Sequence, residues 1–339
     1  MHISWMVATV VCFFAVLALR PIAVNWGLVD TPDNRKKHTG NVPLVGGLAI
    51  YLATMTSVSL YLESSQHINL ILVSVSLIVL IGALDDRYDL SAKIRLVAQI
   101  LIASILVFGT GIHIASLGDL FGSGVIMTGS LSGVISILAI VAGINAFNMT
   151  DGIDGLAGTL ALISLIAIGL LIKSPDFILL TGAMSAAIVV FLFFNLSFFT
   201  NKNKVFMGDA GSMMLGLTVS WLLIVFSQPE GQSLIPPAHA LWFIAVPLID
   251  MLAVMFRRLR RGQSPLVADR EHLHHVFMDI GLNSRQALIF ISIISLAFCF
   301  IGYVMTVQEL PEYLSLIMIS LTFFIYNYLL SLRHRFKKK

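Results

Sequence analysis

Apolar residues run along this chain in blocks of about twenty, the length that crosses a bilayer as a helix, separated by short polar interruptions. Eleven blocks are expected to be spans, at 2–19, 44–62, 69–84, 95–112, 127–147, 155–172, 177–195, 211–227, 239–256, 286–306 and 313–332. No stretch between them is long enough for a soluble domain, so the expectation is one all-α, polytopic integral membrane domain over residues 1–339. Composition agrees: 58% of residues are hydrophobic and 12% charged, outside the range of water-soluble domains. The first block has no Lys or Arg before it and Arg20 directly after it, the reverse of a cleavable signal peptide. It is therefore expected to stay as a helix with its N-terminus outside.

Threading the blocks from that start puts 20–43, 85–94, 148–154, 196–210, 257–285 and the tail from Arg333 on the cytoplasmic side. Apart from Lys173 and the borderline Arg95, every Lys and Arg falls in those segments, as the positive-inside rule requires. An even number of spans would scramble this sorting, so the C-terminus is expected in the cytoplasm. The tail Arg333 to Lys339 reads as a stop-transfer segment and anionic-lipid anchor. Cys12 and Cys299 lie inside apolar blocks and behave as small hydrophobes, indicating neither a disulfide nor a metal site.

The cytoplasmic loops carry almost all the unusual polar residues. Between Asn145 and Gly158 stand two Asn, a Thr, Asp151, Asp154 and three Gly, more than a turn needs at the mouth of a membrane helix pair. Asp85 and Asp86 end an apolar block, where the helix dipole disfavours negative charge and the two acids repel each other. Arg87, Lys93 or Arg95 would compensate them in a structural ion-pair cluster; a divalent cation or proton uptake are the other compensations. With Asp151, Asp154 and Asp209 on neighbouring loops, hard oxygen donors suit Mg²⁺ beside substrate phosphates. Asp250 sits inside an apolar block and needs a polar neighbour or a cavity. Phe206 beside Gly208 is either a base-stacking ring or an interfacial anchor. The run His272 to His275 has zinc-ligand residue types but no thiolate, and phosphate or sugar contact ranks above zinc. The Arg257 to Arg261 run satisfies positive-inside sorting and would also attract a polyanion.

Neither a Walker loop nor a dinucleotide fingerprint occurs, so a phosphate-handling enzyme here should exchange one phosphoanhydride for another without external drive. Acids near helix ends also mark cation-coupled transporters, but those place acids at mid-membrane depth within repeats, and no repeat is visible. A catalytically dead scaffold for glycan assembly is a third reading.

On Pro43 with Gly46-Gly47, Asp85-Asp86, Asn145 to Leu156, Met207 to Ser212 and His272 to His275, the chain resembles the polyprenyl-phosphate N-acetylhexosamine-1-phosphate transferases. The phrases Lys204 to Ser212 and Asp269 to His275 resemble the bacterial branch that starts enterobacterial common antigen and O-antigen synthesis; Leu273 departs from its usual Ile. The resemblance implies transfer from UDP-GlcNAc to undecaprenyl phosphate with Mg²⁺ or Mn²⁺, in a bacterial inner membrane, by a homodimer with no nucleic-acid partner. It implies Asp209 as principal metal ligand, with Asp86 beside it. Asp85 and Asp86 would contact or deprotonate the lipid phosphate, and Asp151, His274 and His275 complete the catalytic set. Gly152, Ile153, Asp154, Asn195 and Phe206 would form a uracil pocket. Arg270 and His272 would join His274 and His275 on sugar and diphosphate, with Lys37 and Asn148 as further substrate contacts.

Overall fold

A computed structural model describes residues 2–31, 40–63, 65–198, 203–229, 231, 233–264 and 271–337, with side chains to residue 330. Among the described residues the only strands are β1 (Val29–Asp30) and β2 (Val42–Pro43), an antiparallel pair; all other regular structure is helical. The long elements are α1 (His2–Trp26), α2 (Gly46–Tyr61), α3 (Gln66–Tyr88), α4 (Ala92–Thr110), α5 (Ser132–Thr150), α6 (Leu156–Gly169), α7 (Pro175–Asn195) and α8 (Gly208–Ser227). A short α9 (Pro237–Ala240) leads through a 3-10 turn into α10 (Ala245–Arg260), followed by α11 (Leu273–Asp279), α12 (Ser284–Val307) and α13 (Glu312–Lys337). Among the described residues nine helical stretches are long and apolar enough to cross a membrane. α2 and α6, at 16 and 14 residues, are shorter apolar helices. The chain is thus an all-α, multi-pass membrane protein.

Every apolar block became a helix, but three boundaries moved. α1 continues through Arg20 and Pro21 to Trp26, because the apolar pattern resumes at Ile22. The block starting at 127 begins with a 3-10 turn at Gly129–Leu131, and α5 proper starts at Ser132. The block at 239–256 is broken at Leu241–Ile244. Pro247 has no N–H to return to the Phe243 carbonyl, so a regular helix cannot pass. That carbonyl instead accepts the Ser164 hydroxyl from α6 at 2.6 Å, which pins the break to the bundle.

α8 is the axis. Its 18-residue apolar window is wholly buried, packed on by α5, α3, α2 and α6. Small residues let backbones meet, the usual device for tight helix contact in a membrane. A Cβ on Gly82 of α3 would come within 2.4 Å of the Ala210 backbone, and one on Gly47 of α2 within 2.2 Å of Gly211. The same strategy joins α5 to α8, where a Cβ on Gly216 would lie 2.6 Å from the Gly143 carbonyl. Antiparallel packing then gathers the ends of α1, α3, α5 and α10 and the starts of α2, α4, α8 and α11 at one end of the bundle. At the other end the loop 111–128 is tied down by Gln228, which bonds Ser116 through both amide atoms. Glu312 there accepts from the Asp119 and Ala238 amides, each at 3.0 Å.

Candidate active site

The acids at the end of α3 are compensated in two different ways. Asp85 is buried; its Oδ2 accepts from Arg95 of α4 at 2.7 Å and its Oδ1 from the Leu90 amide at 2.9 Å. Asp86 instead turns toward α8, where its two oxygens accept from the Asp209 and Ala210 amides at 2.8 and 3.2 Å. Those are first-turn donors that no intrahelical carbonyl can satisfy. A carboxylate misplaced at the C-terminus of one helix thereby caps the N-terminus of another, where the dipole favours it. Gly208, at φ +72°, makes the contact feasible: a Cβ there would stand 2.5 Å from Asp86 Oδ2.

Asp209 projects from this first turn of α8. Asn148 Nδ2 of α5 donates to its Oδ1 at 2.8 Å and also to Ser212 Oγ at 3.0 Å. Arg95 Nη1 lies 3.6 Å from Asp209 Oδ2, so one guanidinium bridges Asp85 and Asp209. Unlike Asp85, Asp209 keeps about a third of its side chain open (35% against 2%). Asp151, just past the end of α5, has its carboxyl pushed up to about 7 by burial and by the charges of Asp86 and Asp154. Five acids, Asp85, Asp86, Asp151, Asp154 and Asp209, thus meet here with Arg95 and Lys204 as the counter-charges seen among the described residues.

The floor beside them is a braced loop. Phe206 N donates to Pro43 O at 2.9 Å, and Gly46 N and Gly47 N return bonds to the Phe206 and Met207 carbonyls at 2.8 and 2.9 Å. Asn195 is buried at the end of α7 and spends its Nδ2 on Val205 O at 2.9 Å, while its Oδ1 has no partner among the described residues. Asn195 thereby braces the loop that carries Phe206. Lys204 reaches across, pairing with Asp154 at 2.6 Å and lying 5.0 Å from the centre of the Phe206 ring. Ile153 packs into the core beside them.

α11 closes the other side. His272 precedes it as N-cap, with Nδ1 2.8 Å from Asp250 Oδ2 of α10. The His272 and His274 rings are parallel, 5.9 Å apart, and His275 lies 4.2 Å beyond His274. The His274 ring rests on Gly152, where a Cβ would collide with its Nε2 at 2.3 Å, so this glycine lets α11 dock on the loop after α5. Burial, with the neighbouring imidazole of His275, pushes His274 down to about 3, leaving it a neutral donor-acceptor. Glu271 holds Arg257 at 3.0 Å and also pairs with Arg261. Burial opposes its charge, but Arg261 and Arg257 outweigh it and keep the carboxyl below its usual range.

Asp85, Asp86, Asn148, Asp151 and Asp209 therefore gather on one side, and Gly152 links them to His272, His274 and His275. Ile153, Asp154, Asn195 and Phe206 form the adjoining floor. Lys37 and Arg270 lie outside the described residues. Among the described residues no three His, Cys, Asp or Glu side chains form a group that could hold a metal ion. Arg95 was legible only as one of three counter-ions for Asp85 and Asp86, and its bridge to Asp209 was not. Tyr326 of α13, which donates to Asp250, carried no signal, because a tyrosine in a terminal apolar helix reads as an interfacial residue.

A family model described as glycosyl transferase family 4 matches residues 68–227, the part that holds both acid pairs and α8. The undecaprenyl-phosphate alpha-N-acetylglucosaminyl 1-phosphate transferase of Escherichia coli (strain K12) is 39% identical over 324 residues, 94% of this chain and 87% of its own. Proteins of the same name from Salmonella typhi and Pasteurella multocida (strain Pm70) are 39% and 40% identical. These matches cover 92% and 97% of this chain and 86% and 93% of theirs. With such identity along nearly its whole length, the chain belongs to glycosyl transferase family 4, alongside these membrane phosphosugar transferases.

Proposed function

We propose that the protein transfers GlcNAc-1-phosphate from UDP-GlcNAc to undecaprenyl phosphate, releasing UMP and giving undecaprenyl-diphosphate GlcNAc. In this reading eleven spans sit in a bacterial inner membrane, N-terminus outside and C-terminus cytoplasmic, and the site faces the cytoplasm. The product opens O-antigen or enterobacterial common antigen synthesis. The observation that carries the proposal is the meeting of Asp86, Asp151 and Asp209, from three separate helix ends, beside the histidines of α11.

The chemistry is an in-line exchange. An oxygen of the lipid phosphate bonds to the sugar-bearing phosphorus, the anhydride bond to the UMP phosphate breaks, and its electron pair leaves with UMP. A phosphate dianion is already nucleophilic near neutral pH, so no carboxylate need act as base. Asp85, with both oxygens engaged, supports a positioning role through Arg95. Arg95 faces the place where phosphate charge would lie, and Phe206 offers an aromatic face for the base once Lys204 moves aside.

The donor set fits a hard divalent cation. Asp209 keeps about a third of its side chain open, Asp86 and Asp151 add oxygen ligands, and burial followed by the charges of Asp86 and Asp154 raises the Asp151 carboxyl. Mg²⁺ is usually held by one or two carboxylates plus substrate phosphates. Asp209, with Asp86 or Asp151, would hold Mg²⁺ or Mn²⁺, whose contribution when bound is to neutralise the diphosphate. The test is to incubate purified protein with labelled UDP-GlcNAc, undecaprenyl phosphate and Mg²⁺. Lipid-linked sugar and UMP in equal amounts are expected; neither appearing would defeat the proposal. A panel of other UDP-N-acetylhexosamines reads the sugar choice.

A further inference from the structure

Asp250 is buried in α10, inside an apolar block where an unpaired carboxylate would be costly. Three donors from two places, the start of α11 and α13, satisfy it. His272 Nδ1 meets Oδ2 at 2.8 Å, while the Leu273 amide at the start of α11 and the Tyr326 hydroxyl of α13 meet Oδ1 at 3.0 and 2.5 Å. Because a carboxylate only accepts, His272 must carry its proton on Nδ1, which leaves Nε2 as the free ring nitrogen. The same carboxylate fixes both the tautomer of His272 and the start of the helix that carries His274 and His275.

We propose that Asp250 and Tyr326 are positioning residues for the transfer: together they lock His272 as the Nδ1–H tautomer and hold the α11 imidazole row against Gly152 and the nucleotide-sugar. This rests on the phosphotransfer reading for what the histidines contact. It brings α13, far outside the segment 68–227 matched by the family model, into the working parts of the enzyme. A second bond from α13 supports it. Arg257 Nη1 donates to Asn327 Oδ1 at 3.4 Å while its Nε and Nη2 hold Glu271, the residue before His272. His272 accordingly faces Asp250 of α10 and the ring of His274, Tyr326 of α13 reaches the same carboxylate, and Glu271 next to it pairs with Arg257 and Arg261.

The direction of the effect follows from the bonds. The Tyr326 hydroxyl fixes the orientation of the Asp250 carboxylate, so its removal loosens the carboxylate's hold on His272 and on the start of α11. Tyr326→Phe should raise the donor KM about fivefold, less than the full worth of a hydrogen bond to a charged group because Asp250 keeps its other two donors, and leave the acceptor KM alone. Asp250→Asn, which can present an N–H to Nδ1, should favour the other tautomer and lower kcat/KM by on the order of 10²-fold or more.

The experiment combines these kinetics with ¹⁵N-histidine NMR of the full-length protein, the His272 signal being assigned by its loss in His272→Gln. An Nδ1–H signal in the parent and an Nε2–H signal in Asp250→Asn are expected. A parent signal of the other tautomer overturns the proposal. So does Tyr326→Phe with lowered thermal stability but parental donor KM, because that is a structural role alone. Should the parent make no lipid-linked product, the phosphotransfer reading fails, while the NMR arm still reports on the Asp250 contact by itself.

Discussion

The acid side and the histidine side of the site are built by different means. Asp86 and Asp209 are placed by backbone: helix ends, first-turn amides and glycine contacts set their separation before any side chain chooses a rotamer. His272 and His274 are placed by side chains, through Asp250, Tyr326, Arg257 and Glu271. The acid side is consequently rigid and intolerant of change in its frame. The histidine side, held by side-chain bonds, can be adjusted by single polar substitutions.

That contrast can be broken at several strengths. Asp209→Asn should lower turnover on the order of 10³-fold by removing charge at the phosphate, with the unfolding midpoint in detergent unchanged, since Asn keeps the bond from Asn148. Residual activity above a tenth of the parent would show that the acid side is not where the phosphates sit. Gly82→Val should cost more than the usual overpacking range of about 1–3 kcal/mol, because the opposing atoms are backbone, and activity should fall with stability. A stable, active Gly82→Val would refute the rigid-frame half of the comparison. Phe206→Leu should raise the donor KM by about three- to tenfold with kcat nearly constant, as loss of one aromatic stack implies.

A smaller effect is expected in pH. Without metal, Asp151 holds a proton below about 7, where burial and the charges of Asp86 and Asp154 put its pKa. A divalent cation that displaces this proton should bind more weakly as pH falls, by about tenfold per unit below that value and without change above it. Calorimetric titration with Mg²⁺ checks this, and Asp151→Asn should flatten the profile. Smallest of all, Glu312→Gln at the opposite end should leave every kinetic constant alone and lower stability by about 1 kcal/mol, because one of its two amide partners loses its acceptor.

Most of the frame was legible because hydropathy and charge report directly on the membrane. Each apolar block became a helix, and the loops rich in Asp, Asn and Gly did converge. Boundaries failed where a backbone detail ruled, as at Pro247, whose missing N–H breaks the block at 239–256. In the site, residue type announced the acids and histidines but not their partners. That Asp85 would turn to Arg95 while Asp86 caps a helix begun more than a hundred residues later depends on which face of α3 each occupies and on what packs there. Asp250 was visible as an acid in need of a partner, yet two of its partners come from loop and terminal helix with no periodicity to relate them.

The complete enclosure of α8 has a consequence for how the protein is made. A segment apolar enough to leave the insertion machinery sideways into lipid ends up touching none. Its neighbours α2, α3 and α5 are synthesised first, and they must hold a vacant slot, or stay loosely apart, until it arrives. Lesions in its small-residue contacts should therefore appear first as poor assembly and degradation during biogenesis, before any defect in the chemistry can be measured.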